Sequence, residues 1–336
     1  MTSTRRTFTF GAAASVAAIA MRPRRASAAE FSYKIGTSTP AAHPFNTRLM
    51  EVGTRIAKES GGRMELNVFP DSQLGGDNDI LSQARSGAIE FCQPTGQVLS
   101  SILPVTAINA MGFVFVDYPQ VWSAMDGDLG AFVRKQIPKA GLVPMERMWD
   151  LGFRQITTSN RPVNTAADLV GMKLRTPIAP SLVSLFRGLK AAPVGMQYAE
   201  VYSALQTHIV DGQENPLSQV EAGKFYEVQK YGSMTNHVWD GYWICANAEA
   251  WNRLPADLQA IAARNFNAVA LDQRTDIAKL NDSVKSEIEA KGMVFNDTQP
   301  DSFRAQLRSA GFYAEWRSKL GDEAWALLEH YVGKVS

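Results

Sequence analysis

Five short segments near the start of the chain decide the fold: FSYKIG (31–36), FNTRLMEVGTRIAK (45–58), MELNVFP (64–70), ILSQA (80–84) and IEFC (89–92). The second sets Phe45, Leu49, Val52 and Ile56 three to four residues apart, along one face of a helix. The third alternates apolar and polar residues and stops at Pro70, the mark of a strand with a terminator. With strands at 31–36 and 89–92 and helical spacing at 80–84, the order is β-α-β-α-β. That order belongs to an α/β sheet whose strands are joined by crossover helices.

The same rhythm resumes after about residue 150. Met172–Arg175 reads as a strand stopped by Pro177, Ser181–Leu189 as a helix and Pro193–Met196 as a short strand. Ala199–Thr207 then reads as a helix, and Ile209–Gln213 as a strand ending at Asn215-Pro216. The chain therefore divides into two α/β lobes. Beyond them, Pro255–Lys291 keeps Leu258, Ile261, Phe266, Val269, Ile277, Leu280, Val284 and Ile288 at helical spacing. At 1.5 Å per residue such a helix reaches roughly 50 Å, longer than one small lobe is wide, so it must touch both lobes or break near Asp272.

Residues 1–28 read as an export signal of the twin-arginine type. Arg5-Arg6 precedes Thr7-Phe8, an eleven-residue apolar stretch runs from Gly11 to Met21, and Ala26-Ser27-Ala28 offers a small-residue cleavage site. Eleven residues are too few to span a bilayer, which takes about 20. Cleavage removes five arginines and no acid, turning the net charge of the 336-residue chain from +1 to −4. Neither value is the basic surplus that nucleic-acid binding requires. The periplasm is the expected destination.

Catalytic signatures are missing. The four histidines (His43, His208, His237 and His330) form no HExxH, and GxSxG, GxxxxGK and GxGxxG do not occur. Cys92 and Cys245 lie in apolar strand patterns and read as small buried hydrophobes, with a disulfide between them left open. No cofactor and no metal site is expected.

Binding chemistry is present. Arg175 falls at the carboxyl end of a short strand, where open α/β sheets bind ligands, and its planar fork matches a carboxylate through two parallel hydrogen bonds. Asn215 is placed likewise at the end of its strand, and Arg154 opens the second lobe. Trp149, Tyr198 and Trp239 supply candidate aromatic walls, because a ligand pocket is mostly apolar lining with a few placed polar groups.

Several ordered blocks are similar to the solute-binding proteins of tripartite ATP-independent periplasmic (TRAP) transporters, of the C4-dicarboxylate-binding type. They are Phe69-Pro70-Asp71-Ser72-Gln73-Leu74-Gly75, Gly152-Phe153-Arg154-Gln155, Gly171-Met172-Lys173-Leu174-Arg175, Glu200-Val201-Tyr202-Ser203-Ala204-Leu205-Gln206 and Val210-Asp211-Gly212-Gln213-Glu214-Asn215-Pro216. Lys224–Lys230 and Met234–His237 continue the likeness, which spans the mature chain.

The resemblance implies a two-lobed periplasmic binding protein fold with a long helix contacting both lobes. Lobe I is expected over 29–151 and about 241–280, and lobe II over 152–240 and about 281–336. The resemblance also puts Arg175 on the ligand carboxylate, with Arg154, Asn215 and Tyr198 beside it and Ser38, Asp77, Pro94 and Thr95 contributing from the first lobe. Its sialic-acid-binding branch is nearest in wording, yet Pro94-Thr95-Gly96 offers neither a carboxylate nor an Arg for a glycerol tail. Trp149 and Trp239 point instead to an acid with an apolar or ring face: an aromatic acid, a 2-oxo or 2-hydroxy acid, or a sugar acid. The implied partners are the small and large membrane subunits of the transporter, with the binding protein itself a monomer. Two other classes fit the same residues, a module feeding a sensory receptor and a periplasmic enzyme acting on an organic acid.

Overall fold

The computed structural model describes residues 29–335, and Thr2 before them. The export signal expected over residues 1–28 falls, Thr2 apart, outside the described residues.

The strands in chain order are β1 Phe31–Gly36, β2 Met64–Phe69, β3 Phe91–Cys92, β4 Leu142–Pro144, β5 Trp149–Thr158 and β6 Lys173–Thr176. They continue as β7 Ala192–Gly195, β8 Gly212–Pro216, β9 Tyr231–Met234, β10 Trp239–Tyr242, β11 Cys245–Asn247 and β12 Val294–Asp297. The described strands form two sheets, ordered β2-β1-β3-β11-β4 and β12-β9-β5-β8-β6-β7, with β10 paired to β5 beside the second. In the first sheet β1 runs parallel to β2 and β3, while β11 is antiparallel to both of its neighbours. In the second, β6 is parallel to β7 and β8, and β5 is antiparallel to β8, β9 and β10. Each sheet with its helices is one lobe.

The helix Pro44–Glu59 shows how the sequence drives the packing. His43 caps it, with Nδ1 accepting from the Phe45 amide at 3.2 Å, and Pro44 fills the first turn, where its missing N–H costs nothing. Phe45, Leu49, Val52 and Ile56 are fully buried. A Cβ at Gly53 would lie 2.9 Å from the Leu66 carbonyl oxygen, so only glycine lets the helix lie this close to β2.

The two lobes are joined by two crossing strands. Opposite Asp240 of β10 stands Gly152 of β5, at φ +117°, a conformation that L side chains avoid, and the β10 register slips between Asp240 and Gly241. A glycine bend facing a bulge is a natural place for one lobe to turn on the other. Ala256–Ala290 is a single helix of 35 residues, with no break at Asp272. It buries Leu258, Phe266 and Val269 behind the first sheet and Val284 and Ile288 in the core of the second lobe. Arg48 forks onto Asp276 at 2.6 and 3.1 Å. At the crossing, the Gln273 amide clasps the Asp150 backbone, accepting from its N–H at 2.8 Å and donating to its C=O at 2.7 Å.

Three segments differ from the sequence reading. β3 is two residues, because 87–90 is spent turning out of the preceding helix. β8 spans Gly212–Pro216 rather than Ile209–Gln213: His208 takes a positive φ of 57° and Ile209 is exposed. The final helices, Phe312–Leu320 and Asp322–Val332, do not keep to the second lobe. Tyr313 Oη donates to the Gly112 carbonyl, Gln120 Nε2 to the Tyr331 carbonyl, and Trp316 Nε1 to Ser184 Oγ, so the segment after about residue 310 straddles both lobes.

Candidate functional site

Between the lobes lies a cleft of about 390 Å³ of space free of protein atoms. Ser38, Asp77, Thr95 and Tyr242 line it from the first lobe, and Arg154, Arg175, Tyr198, Asn215 and Gln219 from the second. Only about 30 Å³ of it would admit a water-sized sphere, so the lobes are drawn tightly together over the cleft. The lobes touch across its mouth: Asn78 Nδ2 reaches the Ile178 carbonyl at 3.4 Å, and Gly76 abuts the Gln197 side chain.

The two arginines of the cleft are in opposite electrostatic states. Arg154 is saturated. Its Nε and Nη2 fork onto both carboxylate oxygens of Glu214, Nη2 also reaches Asn215 Oδ1 at 3.1 Å, and Nη1 reaches Asp240 Oδ2 at 3.2 Å. Glu214 also meets His237 Nε2 at 3.0 Å. Burial pushes the Glu214 carboxyl up, and the Arg154 guanidinium and the His237 hydrogen bond more than reverse this, so the carboxyl stays below its ordinary range. Burial likewise holds His237 below its ordinary value, that is neutral, against the pull of Glu214.

Arg175 is buried with far less compensation. Its Nε and Nη2 both donate to the Met196 carbonyl, at 3.0 and 2.6 Å, which occupies one edge of the fork. Its Nη1 has no partner, and among the described residues it is the one buried side-chain polar atom of the cleft lining in that condition. Burial pulls its pKa down to about 10 against the opposing field of Glu214, with Arg154 adding repulsion. A buried cation with an open donor edge facing a cavity is a receptor for an anion, and the Nη1–Nη2 edge suits a carboxylate.

Such a cleft is the working part of a binding protein, and comparison with known proteins places the chain. Residues 35–316 match the model of DctP, the bacterial extracellular solute-binding protein, family 7. The chain belongs to that family. Over 280 residues it is 32% identical to the uncharacterized protein y4mM of Sinorhizobium fredii, covering 82% of this chain and about half (51%) of that relative's length. Over 268 residues it is 30% identical to the 2,3-diketo-L-gulonate-binding periplasmic protein YiaO of Escherichia coli, covering 80% of this chain and 79% of the other. The crystal structure of a TRAP periplasmic solute-binding protein from Polaromonas, bound to D-erythronate, superposes with a TM-score of 0.85 at 26% identity, over 89% of this chain and 98% of that one. The two-lobed fold is therefore that of TRAP solute-binding proteins.

Of the residues singled out in the sequence, the structure brings Ser38, Asp77, Thr95, Arg154, Arg175, Tyr198 and Asn215 around the one cleft. Three lie elsewhere. Trp149 is fully buried behind the first sheet, its ring 5.2 Å from that of Phe45, because β5 points it into the lobe I core. Trp239 donates through Nε1 to Asp150 at 3.0 Å and packs edge-on against Trp122. Pro94 stands one step behind the lining, its carbonyl accepting from the Trp243 amide. The aromatic face that the tryptophans were expected to give a ligand is therefore absent from the described lining, where Tyr198 and Tyr242 are the rings. Tyr198 spends its hydroxyl on the Gln219 carbonyl at 2.8 Å. Sequence reasoning missed Asp240 and the partner role of Glu214. The signal for Glu214 was its place beside Asn215, a carboxylate inside a strand that has nowhere to go but a cation.

Proposed function

We propose that this chain is the periplasmic capture subunit of a TRAP transporter, exported by a twin-arginine signal, which takes up a small organic monocarboxylate and delivers it to the small and large membrane subunits. The single observation that carries the reading is the buried Arg175 guanidinium, with Nη1 unpartnered at the wall of an interlobe cleft. The ligand carboxylate takes the free edge of that fork, while the Met196 carbonyl on the other edge fixes its plane. Arg154 and Asn215 line the same wall, with Arg154 contributing shape rather than net charge, since Glu214 neutralises it. Binding favours the closed arrangement of the lobes because the ligand touches both.

The 2,3-diketo-L-gulonate of the Escherichia coli relative and the D-erythronate of the Polaromonas structure are acids of this class, which supports a hydroxy, oxo or sugar acid as the ligand here. A carrier returns its ligand unchanged. Calorimetry with a panel of organic acids, repeated on Arg175→Ala, tests the reading. We expect at least one acid to bind and the variant to lose roughly 30-fold to several thousand-fold in affinity. Chemical conversion of the bound acid, or undiminished binding by the variant, would overturn it.

A further inference from the structure

We infer that Asp77 and Asp240 are specificity-determining residues, forming an acidic wall that accepts hydrogen bonds from the hydroxyl groups of a monocarboxylate and rejects any acid carrying a second carboxylate. The inference rests on the reading of Arg175 as the carboxylate receptor and adds what the rest of the cleft selects.

The charges of the cleft do not balance around its two arginines. Arg154 is neutralised by Glu214, which forks onto it with both oxygens. One unpartnered cation, Arg175, then remains against two further lining carboxyls, Asp77 and Asp240. A ligand with one carboxylate meets Arg175. A ligand with a second carboxylate must set it against groups of its own sign, with no uncommitted guanidinium left to receive it, and like-charge juxtaposition in a desolvated site is a strong rejector.

Both carboxyls keep acceptor capacity. Asp77 takes one hydrogen bond at Oδ1, from Ser38 Oγ at 2.6 Å. Asp240 takes one at each oxygen, from Arg154 Nη1 and from the Gly241 amide at 3.0 Å. An ionised carboxyl accepts up to four, so each has room for a ligand hydroxyl. The surroundings already resist negative charge there. Burial, with Glu214 and Asp77 adding repulsion against the pull of Arg154, raises the Asp240 carboxyl to about 7. Burial raises Asp77 as well, against its Ser38 hydrogen bond and the two arginines. A further carboxylate in this part of the cleft would add to a repulsion the residues already feel, whereas a hydroxyl donates into it without charge. Selection thus depends on Glu214, which removes Arg154 from the pool of receptors.

The test is calorimetry on the mature protein with D-erythronate, L-galactonate and succinate, on wild type, Asp240→Asn, Asp77→Asn and Arg175→Ala, each first checked for wild-type circular dichroism. Both Asn variants keep shape and one acceptor oxygen. In wild type one of the polyhydroxy acids should bind about 100-fold or more tightly than succinate. In each Asn variant that ratio should narrow about tenfold, with succinate binding improved in absolute terms. Arg175→Ala should weaken every acid alike. Succinate as the tighter wild-type ligand, or a ratio unchanged within threefold in both Asn variants, would overturn the inference while leaving the Arg175 reading intact. Undiminished binding by Arg175→Ala, or no binding of any of the three acids, would count against that reading and take the inference with it. Should one Asn variant misfold, the other decides.

Discussion

Replacing each cleft arginine by methionine should separate the two by their opposite effects on stability. When the lobes close without ligand, Arg175 is a liability. Its pKa falls well below the ordinary arginine value, to about 10, and since this still lies far above neutrality the cost of holding the charge is fully present at pH 7. At 1.36 kcal/mol per pKa unit that cost is about 3 kcal/mol. Arg175→Met keeps most of the aliphatic stem, gives up the donors to Met196 and removes the charge. We expect the apo protein, now free to close without ligand, to gain up to about 3 kcal/mol, raising its melting temperature by up to several degrees, while affinity for its acid falls roughly 30-fold to several thousand-fold.

Arg154→Met should do the reverse. It strands Glu214 and Asp240 as buried carboxyls without their shared partner, which costs about 3–5 kcal/mol and roughly 10 °C. Differential scanning calorimetry of both apo variants, paired with titration of the acid, reads all four quantities. A destabilised Arg175→Met beside an unperturbed Arg154→Met would refute the division of labour between the two guanidiniums.

Other outcomes follow from the same structure. A Cβ at Gly76 would lie 2.3 Å from the Gln197 side-chain amide across the cleft mouth, a flexible end that can swing aside, so Gly76→Val should weaken binding only about threefold and leave apo melting within a few degrees; a loss beyond tenfold would show that Gln197 is fixed in place at closure. Burial lowers His43 from 6.5 to about 4. The folded chain therefore binds fewer protons than the unfolded chain between those values, and this contribution is whole above pH 6.5 and lost as pH falls toward 4. Denaturant titrations of wild type and His43→Asn should diverge in favour of the variant by up to about 3 kcal/mol across that window, and a pH-independent difference would remove His43 as the cause. Cys92 and Cys245 face each other across β3 and β11, both buried as free thiols with raised pKa values. Ellman's reagent should find no reactive thiol in the native protein and two per chain in concentrated guanidinium; none after unfolding would mean that they had paired.

The lobes were legible because their cores are built from periodic apolar residues. Phe45, Leu49, Val52 and Ile56 announce a helix face, and the run from Leu258 to Ile288 announces one long enough to tie both halves together. What escaped was the polar interior. β8 is buried at every position yet reads Gly-Gln-Glu-Asn-Pro, because its side chains satisfy one another and Arg154 across the sheet, and hydrophobic periodicity has no term for that. It misplaced the strand onto the apolar Ile209-Val210 just before it. Trp149 and Trp239 were misassigned for the converse reason: a large aromatic serves a core or a pocket equally well, and only the direction in which β5 and β10 aim it decides between them. Asp240 gave no signal because its significance is relational, arising from Glu214 having already taken Arg154.

The unpaired guanidinium also bears on why closure should wait for ligand. With the lobes apart, water reaches Arg175 and supplies the partner that Nη1 lacks in the closed arrangement. Closing over an empty cleft strips that water away and leaves the charge with the Met196 carbonyl alone, at a cost of about the same 3 kcal/mol that depresses its pKa. A penalty of that size confined to the closed state shifts the equilibrium toward open by roughly a hundredfold. A carboxylate on the free edge cancels it, and cancels it only in the closed state, which is the differential interaction a ligand needs to drive a conformational change. The residue that recognises the ligand is by this argument also the one that holds the empty protein open. Arg175→Met, freed of the penalty, should then populate the closed form without ligand, and small-angle scattering of the apo variant should give a smaller radius of gyration than apo wild type. Equal radii would mean that closure is governed elsewhere, at Gly152 and the bulge facing it.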